Sequence, residues 1–159
     1  MKWSKYNFLY IFCCRLRSGT NNEYFNSFGA GSTKIGSLGV VTVNFPRLAM
    51  QSKSKEEFLK KVSEMYETTA KINNAKRSII KKRISLGAAP LYSLGYMSLS
   101  KQYSTFGVTG LNEAVQLLGM DILEEEGQDF VIEVLKLINE KINEANKKYK
   151  SPHNVEQVA

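Results

Sequence analysis

The pattern of apolar and polar residues predicts two strands in the first third of the chain. Residues 8–12 (FLYIF) form a short apolar run, which is typical of a buried strand, is too short to cross a bilayer and has no cleavage site behind it. Residues 18–37 are rich in Gly, Ser and Asn and predict a loop. Residues 37–45 (SLGVVTVNF) predict a second buried strand, which Pro46 should close because proline cannot pair inside a sheet.

The second predicted strand carries one polar residue of particular interest. Side chains alternate between the two faces of a strand, so Val41, Val43 and Phe45 should share one face and Thr42 and Asn44 the other. An asparagine inside an apolar strand has to find hydrogen bonds. The residues alone leave two interpretations open: Asn44 contacts a ligand, or it ends the strand before the proline.

A long amphipathic helix follows, from an S-x-x-E capping box at residues 54–57 to about Lys82. Its second half, residues 71–83 (KINNAKRSIIKKR), is basic. We expect a solvated outer face there, and the alternative is a contact with nucleic acid. In this basic half Ile72, Ile79 and Ile80 are expected to turn inward. The residues of the helix that fall at helical spacing are Phe58, Leu59, Val62, Met65, Tyr66, Thr69, Ile72 and Ile79.

The remainder of the chain predicts two more helices after an irregular stretch. Residues 85–110 contain Gly, Pro, Ser and Tyr throughout and predict irregular structure. Residues 111–119 predict a short helix that ends at Gly119, and residues 128–150 a long one with a lysine-rich last turn before Pro152. The apolar stripe of the long helix is Phe130, Val131, Val134, Leu135, Ile138, Ile142 and Ala145.

The composition indicates one globular domain of 159 residues, with 43% hydrophobic and 23% charged residues. The order of predicted elements does not close into a standard fold, so we expect part of a larger structure. The net charge of +7 favours a partner that carries phosphate, either a nucleotide or nucleic acid. The net charge is only modest evidence for such a partner, because 15 acidic residues accompany the 22 basic ones.

The two cysteines of the chain are adjacent, at Cys13 and Cys14. A disulfide between neighbours is strained, so they are expected as reduced thiols in a cytoplasmic protein. His153 is the single histidine, which makes a self-contained zinc site untenable. No metal and no membrane contact are expected. The role of a lone vicinal pair stays open between reactive thiol and buried apolar residue.

Four stretches in order resemble one family. They are CCRLR (13–17), GSLGVVTVNFPRLA (36–49), LYSLGYMSLSKQYSTFGVTGLNEAVQLLG (91–119) and NVEQV (154–158). Together they resemble the catalytic subunit of the anaerobic, glycyl-radical ribonucleotide reductases, which reduce ribonucleoside triphosphates. The resemblance implies an α/β fold for this chain, a helix-rich slice of a ten-stranded β/α barrel that includes the finger loop at the barrel centre. A cysteine at the loop tip carries a thiyl radical that takes hydrogen from C3′ of the ribose, water leaves C2′, and the hydrogen returns.

The resemblance assigns roles to residues of this sequence. Cys14, which precedes Arg15, matches the thiyl cysteine, with Cys13 as the alternative. Asn44 matches an asparagine that faces the ribose. Thr109 and Gly110 lie in a loop and helix start at the active-site end of the barrel, where a substrate phosphate and a plain capped turn are both open.

The resemblance also sets limits and partners. Residues 1–12 match nothing in the family, so residues 13–159 are expected to form an incomplete barrel segment, from a split gene, a separate subunit or a decayed remnant. No cofactor is expected within the chain. For the complete enzyme the resemblance implies a glycyl radical, a zinc site and an activase that uses S-adenosylmethionine. The isolated chain is expected to be inactive and to need the remaining reductase segments. A small basic module that binds nucleic acid or a protein partner is the alternative.

Overall fold

The computed structural model describes residues 36–158. The strand predicted at residues 8–12, Cys13, Cys14 and nearly all of the loop predicted at 18–37 lie outside the described residues. The elements are β1 (Gly36–Asn44), α1 (Phe45–Met50), α2 (Lys55–Ser85), α3 (Pro90–Ser93), a short 3-10 helix (Leu99–Lys101), β2 (Gln102–Thr109), α4 (Leu111–Leu117), α5 (Glu125–Tyr149) and β3 (His153–Gln157).

The three strands form a parallel sheet in the order β1, β2, β3. Parallel neighbours need a crossover, and α2 supplies the first one and α5 the second. The two helices run in the same direction, because an ion pair joins Lys55 to Glu126 near their starts and another joins Lys141 Nζ to Glu67 Oε1 at 3.0 Å farther along. The described fold is therefore α/β, with a small parallel sheet and helices packed on it.

The core lies between the sheet and the two long helices, and aromatic rings form its centre. Tyr66 stacks on Phe106 of β2 with ring centroids 5.2 Å apart. Phe58 contacts Phe45 at 6.0 Å and Phe130 of α5 at 5.8 Å. Each of these side chains is almost fully buried, and burial of one such ring contributes about 1.5–3 kcal/mol. The aromatic cluster fixes both helices on one face of the sheet.

Several predictions of local structure are confirmed. Ser54 caps α2, since its Oγ accepts a hydrogen bond from the backbone N–H of Glu57 at 3.2 Å. In β1 the expected alternation holds, with Val43 buried and Thr42 and Asn44 exposed. The apolar stripe of α5 faces the core, although the helix spans Glu125–Tyr149 rather than residues 128–150.

The prediction that residues 85–110 are irregular is wrong, because they contain α3 and the whole of β2. β2 is the central strand and is buried on both faces, so it lacks the alternation that marks a strand with one exposed face. β3 was not predicted either. Its sequence HNVEQ is polar, and it becomes a strand by pairing with β2.

The expected inward position of two isoleucines in α2 is also wrong. Ile72 is 42% exposed and Ile79 is 58% exposed, whereas Ile80 is partly buried. The helix continues to Ser85, three residues beyond the predicted end, and its second half extends past the sheet. The prediction that the strand closes at Pro46 is confirmed, since β1 ends at Asn44 and Pro46 lies in the first turn of α1. α4 ends at Leu117, two residues before the predicted end at Gly119.

Candidate functional site

The carboxyl ends of the three parallel strands meet at one edge of the sheet. β1 ends at Asn44, β2 at Thr109 and β3 at Gln157. Asn44 pairs in register with Thr109, and Val108 pairs with Gln157. Ligands of open parallel sheets bind outside the carboxyl ends of the strands. The fold thus brings the predicted residues Asn44 and Thr109, 65 positions apart in the sequence, to neighbouring strand ends.

Asn44 ends β1 and caps the helix that follows. Its side-chain Oδ1 accepts a hydrogen bond from the backbone N–H of Arg47 at 3.0 Å. This satisfies one of the free N–H groups at the start of α1. Within the described part of the chain the amide Nδ2 group makes no hydrogen bond, so it is free to donate. The capping role is what the geometry shows, and a ligand contact by Asn44 stays a prediction.

Gly110 holds the turn between β2 and α4 in a conformation that favours glycine. Its backbone has φ 71° and ψ 33°, in the left-handed region. A Cβ atom at this position would lie 2.5 Å from both Cγ and Cδ of Pro46, which shows how closely α1 approaches the turn. The absence of a side chain at Gly110 therefore allows the start of α4 to pack closely against the start of α1. α4 has seven residues, about two turns, and a substrate phosphate at its N-terminus stays a prediction.

A cavity of about 660 Å³ opens at this edge, between the strand ends and the helices α4 and α5. Thr109 and Gly110 line it, together with Gln157. Asn112 also lines it and has a buried side-chain Oδ1 without a hydrogen bond in the described part of the chain. Asn44 lies beside Thr109 but outside the cavity. The other lining residues are Val108, Leu111, Glu113, Ile122, Val131, Leu135, Val155 and Val158.

A row of polar side chains crosses all three strands. The Thr105 hydroxyl donates to Oδ1 of Asn154 at 2.9 Å. The single hydroxyl proton of Thr105 is then committed, so the Ser37 hydroxyl, 3.1 Å away, donates to Thr105. The Nδ2 group of Asn154 is buried without a hydrogen bond in the described residues. Sequence reasoning did not single out this row, although polar residues amid an apolar stretch at 104–108 gave a signal for it.

Two side chains of α2 bind the backbone of β2 from the other face. The Tyr66 hydroxyl donates to the carbonyl of Gly107 at 3.2 Å, and Asn73 Nδ2 donates to the carbonyl of Thr105 at 3.3 Å. Burial raises the pKa of Tyr66, which keeps the phenol protonated as a donor. These two hydrogen bonds hold β2 in a fixed position relative to α2, and they thereby position the carboxyl end of β2 at the edge of the sheet.

His153 lies at the opposite edge, at the start of β3. Its Nδ1 is 3.0 Å from Oδ1 of Asn146 and 2.9 Å from the carbonyl of Ser151. Both neighbouring oxygens only accept, so Nδ1 carries a hydrogen in this arrangement. Burial lowers the pKa of His153, the hydrogen bond to Ser151 opposes this effect, and the charge of Arg77 adds to it. The histidine supports the strand start and takes no part in the candidate site.

The described residues hold no cluster for a metal ion and no membrane span. Within residues 36–158, no group of three or more His, Cys, Asp or Glu side chains is placed to hold a metal. None of the helices described there has the length and apolar character needed to cross a bilayer. Cys13 and Cys14, predicted as thiyl candidates, lie outside the described residues.

The described residues form an α/β fold with a cavity at the carboxyl ends of its parallel strands. The family model for the anaerobic ribonucleoside-triphosphate reductases matches residues 1–158, a range that includes residues 1–12, where the sequence alone showed no resemblance. The chain therefore belongs to the anaerobic ribonucleoside-triphosphate reductase family, as the resemblance predicted. A separate nucleic-acid-binding or partner-binding module is not favoured. No curated protein sequence matches the chain.

Solved structures support the same assignment. The chain is similar to an anaerobic ribonucleotide reductase with 40% identity and a TM-score of 0.73, over 76% of this chain and 21% of that one. It is similar to the Thermotoga maritima enzyme with citrate in the active site, with 41% identity and a TM-score of 0.75, over 78% of this chain and 24% of that one. The same enzyme in complex with dATP and CTP gives 40% identity and a TM-score of 0.72, over 76% and 22%. The chain spans about a fifth to a quarter of the length of these reductases.

Proposed function

We propose that the chain forms a β/α segment of the catalytic barrel of an anaerobic ribonucleotide reductase, which converts ribonucleoside triphosphates to deoxyribonucleotides. The observation that carries the proposal is the match to the solved Thermotoga maritima reductase, at 41% identity and a TM-score of 0.75. The parallel βαβαβ arrangement is compatible with a strip of a β/α barrel. Residues 13–159 would form that strip.

The carboxyl edge of the sheet would supply substrate contacts. The free Nδ2 group of Asn44 is a donor for a ribose hydroxyl. Thr109 and Gly110 border the cavity of about 660 Å³, whose size suits part of a nucleotide. One of the similar structures is described as a complex with dATP and CTP, and a ribonucleoside triphosphate is the substrate proposed here. Membrane and nucleic acid have no part in this function.

Cys14 would carry the radical, with Cys13 as the alternative. Its thiyl form takes the C3′ hydrogen of the ribose and becomes a thiol. The C2′ hydroxyl then takes up a proton and leaves as water, and formate or a dithiol supplies two electrons, being oxidised to carbon dioxide or a disulfide, while a proton completes the new C–H bond at C2′. The thiol finally returns its hydrogen atom to C3′. The glycyl radical, the zinc site and the docking site for the activating enzyme that uses S-adenosylmethionine would lie in the remaining reductase segments.

A chimera tests this proposal. Residues 1–158 replace the corresponding part of the Thermotoga maritima reductase, and the product is activated without oxygen and assayed for dCTP formation from CTP. We expect activity in the chimera, loss to background in Cys14→Ala and retention in Cys13→Ala. The isolated chain should produce no deoxynucleotide. A folded chimera without activity, or an active isolated chain, would contradict the proposed function.

The two roles of Asn44 can be separated in the same chimera. Asn44→Ser keeps an oxygen that caps α1 but removes the amide donor, whereas Asn44→Ala removes both. If the amide contacts the ribose, both variants lose activity although only the alanine variant loses stability. Full activity in Asn44→Ser would show that the residue serves the helix cap alone.

A further inference from the structure

The outer flank of α2 carries a row of exposed apolar side chains at seven-residue intervals. Met65 is 40% exposed, Ile72 42%, Ile79 58% and Leu86 71%. Residues seven apart lie on one side of a helix, so Met65, Ile72 and Ile79 of α2 and Leu86, directly after its last residue, form a line, here called the α2 stripe. Exposed apolar residues arranged in this way mark contact surfaces more often than scattered single ones do.

The α2 stripe lies on the side of α2 that faces away from α5. The contacts with α5 use another flank, where Glu67 pairs with Lys141. Lys76, one turn beyond Ile72, instead reaches β1, with Nζ 3.5 Å from the carbonyl of Val40. β1 is an edge strand of the described sheet, and Val40 on it is 37% exposed. The stripe and the β1 edge therefore form one surface.

The surface beside the α2 stripe has an unbalanced charge. Residues 68–112 contain seven Lys and Arg residues and no Asp or Glu. Lys82 and Arg83 in the last turn of α2 are exposed, and neither is in an ion pair within the described part of the chain, whereas Lys81, two residues after Ile79, lies on the opposite side of the helix. Residues 74–101 include no buried residue, although half of this stretch is regular helix. A partner with acidic side chains would complement this charge.

We propose that the α2 stripe docks an amphipathic helix with acidic flanks from another part of the reductase polypeptide. This inference rests on the proposed function, in which the chain supplies about a quarter of the enzyme and other segments supply the remainder. Such a helix would lie beside α2 above the β1 edge, as α5 lies beside α2 on the other side. Spacing by seven residues suits the packing of a helix on a helix.

The same features argue against other occupants. A second copy that met this surface face to face would bring together two surfaces with an excess of Lys and Arg, which is repulsive. Single-stranded nucleic acid binds basic grooves lined with aromatic rings on which bases stack, whereas the α2 stripe consists of aliphatic side chains and methionine. An acidic, apolar protein helix is the occupant that uses both the charges and the stripe.

Cysteine labelling measures whether the stripe becomes covered. Ile79→Cys and the control Ile132→Cys, which replaces an isoleucine of α5 that is 39% exposed, are made in the full chain and in the chimera. Maleimide is added, and mass spectrometry of peptides gives the labelling rate at each site. We expect both sites to react freely in the isolated chain. In the chimera, Ile79→Cys should react at least about tenfold more slowly, because thiol labelling requires access, while Ile132→Cys is unchanged.

Charge reversal measures the acidic character of the partner. Arg83→Glu and the control Lys147→Glu each lie in the last turn of a long helix, so both lose the same helix-dipole contribution. If acidic side chains face the stripe, Arg83→Glu lowers the melting temperature of the chimera more than that of the isolated chain. Lys147→Glu should lower both melting temperatures equally.

The outcomes separate this inference from the proposed function. An active chimera in which Ile79→Cys reacts as fast as in the isolated chain overturns the docking surface alone. Equal slowing at both cysteines, equal effects of the two charge reversals, a dimer of the isolated chain that protects Ile79→Cys, or DNA binding that Arg83→Glu abolishes also overturns it. A chimera that does not fold counts against both proposals.

Discussion

The replacement of Gly110 by alanine gives a quantitative test of the turn that joins β2 to α4. The backbone of Gly110 has φ 71°, where an L-residue with a Cβ atom loses about 1–2 kcal/mol. The added Cβ would also lie 2.5 Å from Cγ and Cδ of Pro46. Forcing an extra carbon into a packed site costs about 1–3 kcal/mol. We therefore expect Gly110→Ala to lower the free energy of unfolding by about 2–5 kcal/mol.

A matched glycine separates the two contributions. Gly87 has a similar φ of 72°, but a Cβ there would meet no atom within 4 Å. Gly87→Ala should thus cost only the backbone contribution of about 1–2 kcal/mol. The reduced freedom of the unfolded chain is the same in both variants, so it cancels in their difference. The excess in Gly110→Ala, about 1–3 kcal/mol, belongs to the contact with Pro46.

Urea unfolding of the full chain, followed by circular dichroism, measures these free energies. The double variant Gly110→Ala with Pro46→Ala removes the ring atoms that the new Cβ would strike. In a double-mutant cycle, the double variant should then be more stable, by about 1–3 kcal/mol, than the sum of the two single-variant effects predicts. The argument fails if Gly110→Ala costs no more than Gly87→Ala, or if Pro46→Ala restores nothing.

Three further predictions concern polar groups away from this turn. Because the pKa of His153 is lowered from 6.5 by burial, the unfolded chain takes up the proton more readily, so the stability present above pH 6.5 should fall as the pH drops below it. Urea midpoints against pH measure this, and a His153→Gln variant with an unchanged slope would contradict it. Arg77→Lys should lose about 1–3 kcal/mol, because the guanidinium donates to two backbone carbonyls just before and at the start of β2 and a lysine cannot hold both. Backbone amide hydrogens at the start of β2 should then exchange faster with solvent, and unchanged protection there would show that Arg77 does not hold this strand start. Thr105→Val should cost about 1–3 kcal/mol by leaving Oδ1 of Asn154 unpaired, whereas Ser37→Ala, at an exposed position, should cost less than about 1 kcal/mol; the opposite order in thermal melts would disprove the polar row.

The long helices were predictable because their apolar residues repeat at helical spacing over many turns. The N-cap of α2 at Ser54 and the buried face of α5 follow from local rules, and both are confirmed. The same spacing misplaced Ile72 and Ile79, since periodicity shows which residues share a side of a helix but not whether another element covers that side. On α2 the covered sides are those toward the sheet and α5.

The strands β2 and β3 could not be predicted from local pattern, because pairing defines them. The polar residues Ser104 and Thr105 read as loop, yet both are buried in the central strand. Thr105 is acceptable there because its hydroxyl bonds to side chains of both neighbouring strands. Such satisfaction depends on residues 68 and 49 positions away, which no local window includes.

The candidate site was predicted as separate residues, and the structure supplies their neighbourhood. Asn44 was chosen from strand alternation, and Thr109 and Gly110 from the resemblance to the reductases. Their meeting at one edge depends on the register between β1 and β2, which requires β2 to be known. The same cavity contains Gln157 and Asn112, whose Oδ1 has no hydrogen bond within the described residues. Nothing in the sequence marks these two residues apart from their positions beside strand ends.

The two crossovers have a kinetic consequence for how the chain reaches this structure. The first pairing of β1 with β2 joins residues 36 and 102, and that of β2 with β3 joins residues 104 and 153. Closing loops of 66 and 49 residues costs roughly 3–4 kcal/mol of chain entropy each, before a constant for the first contact. α2 and α5 form from local contacts and shorten both searches, so they should be ordered early. The sheet should assemble late and slowly, and on the ribosome β3 is the last of the three described strands to emerge and join it.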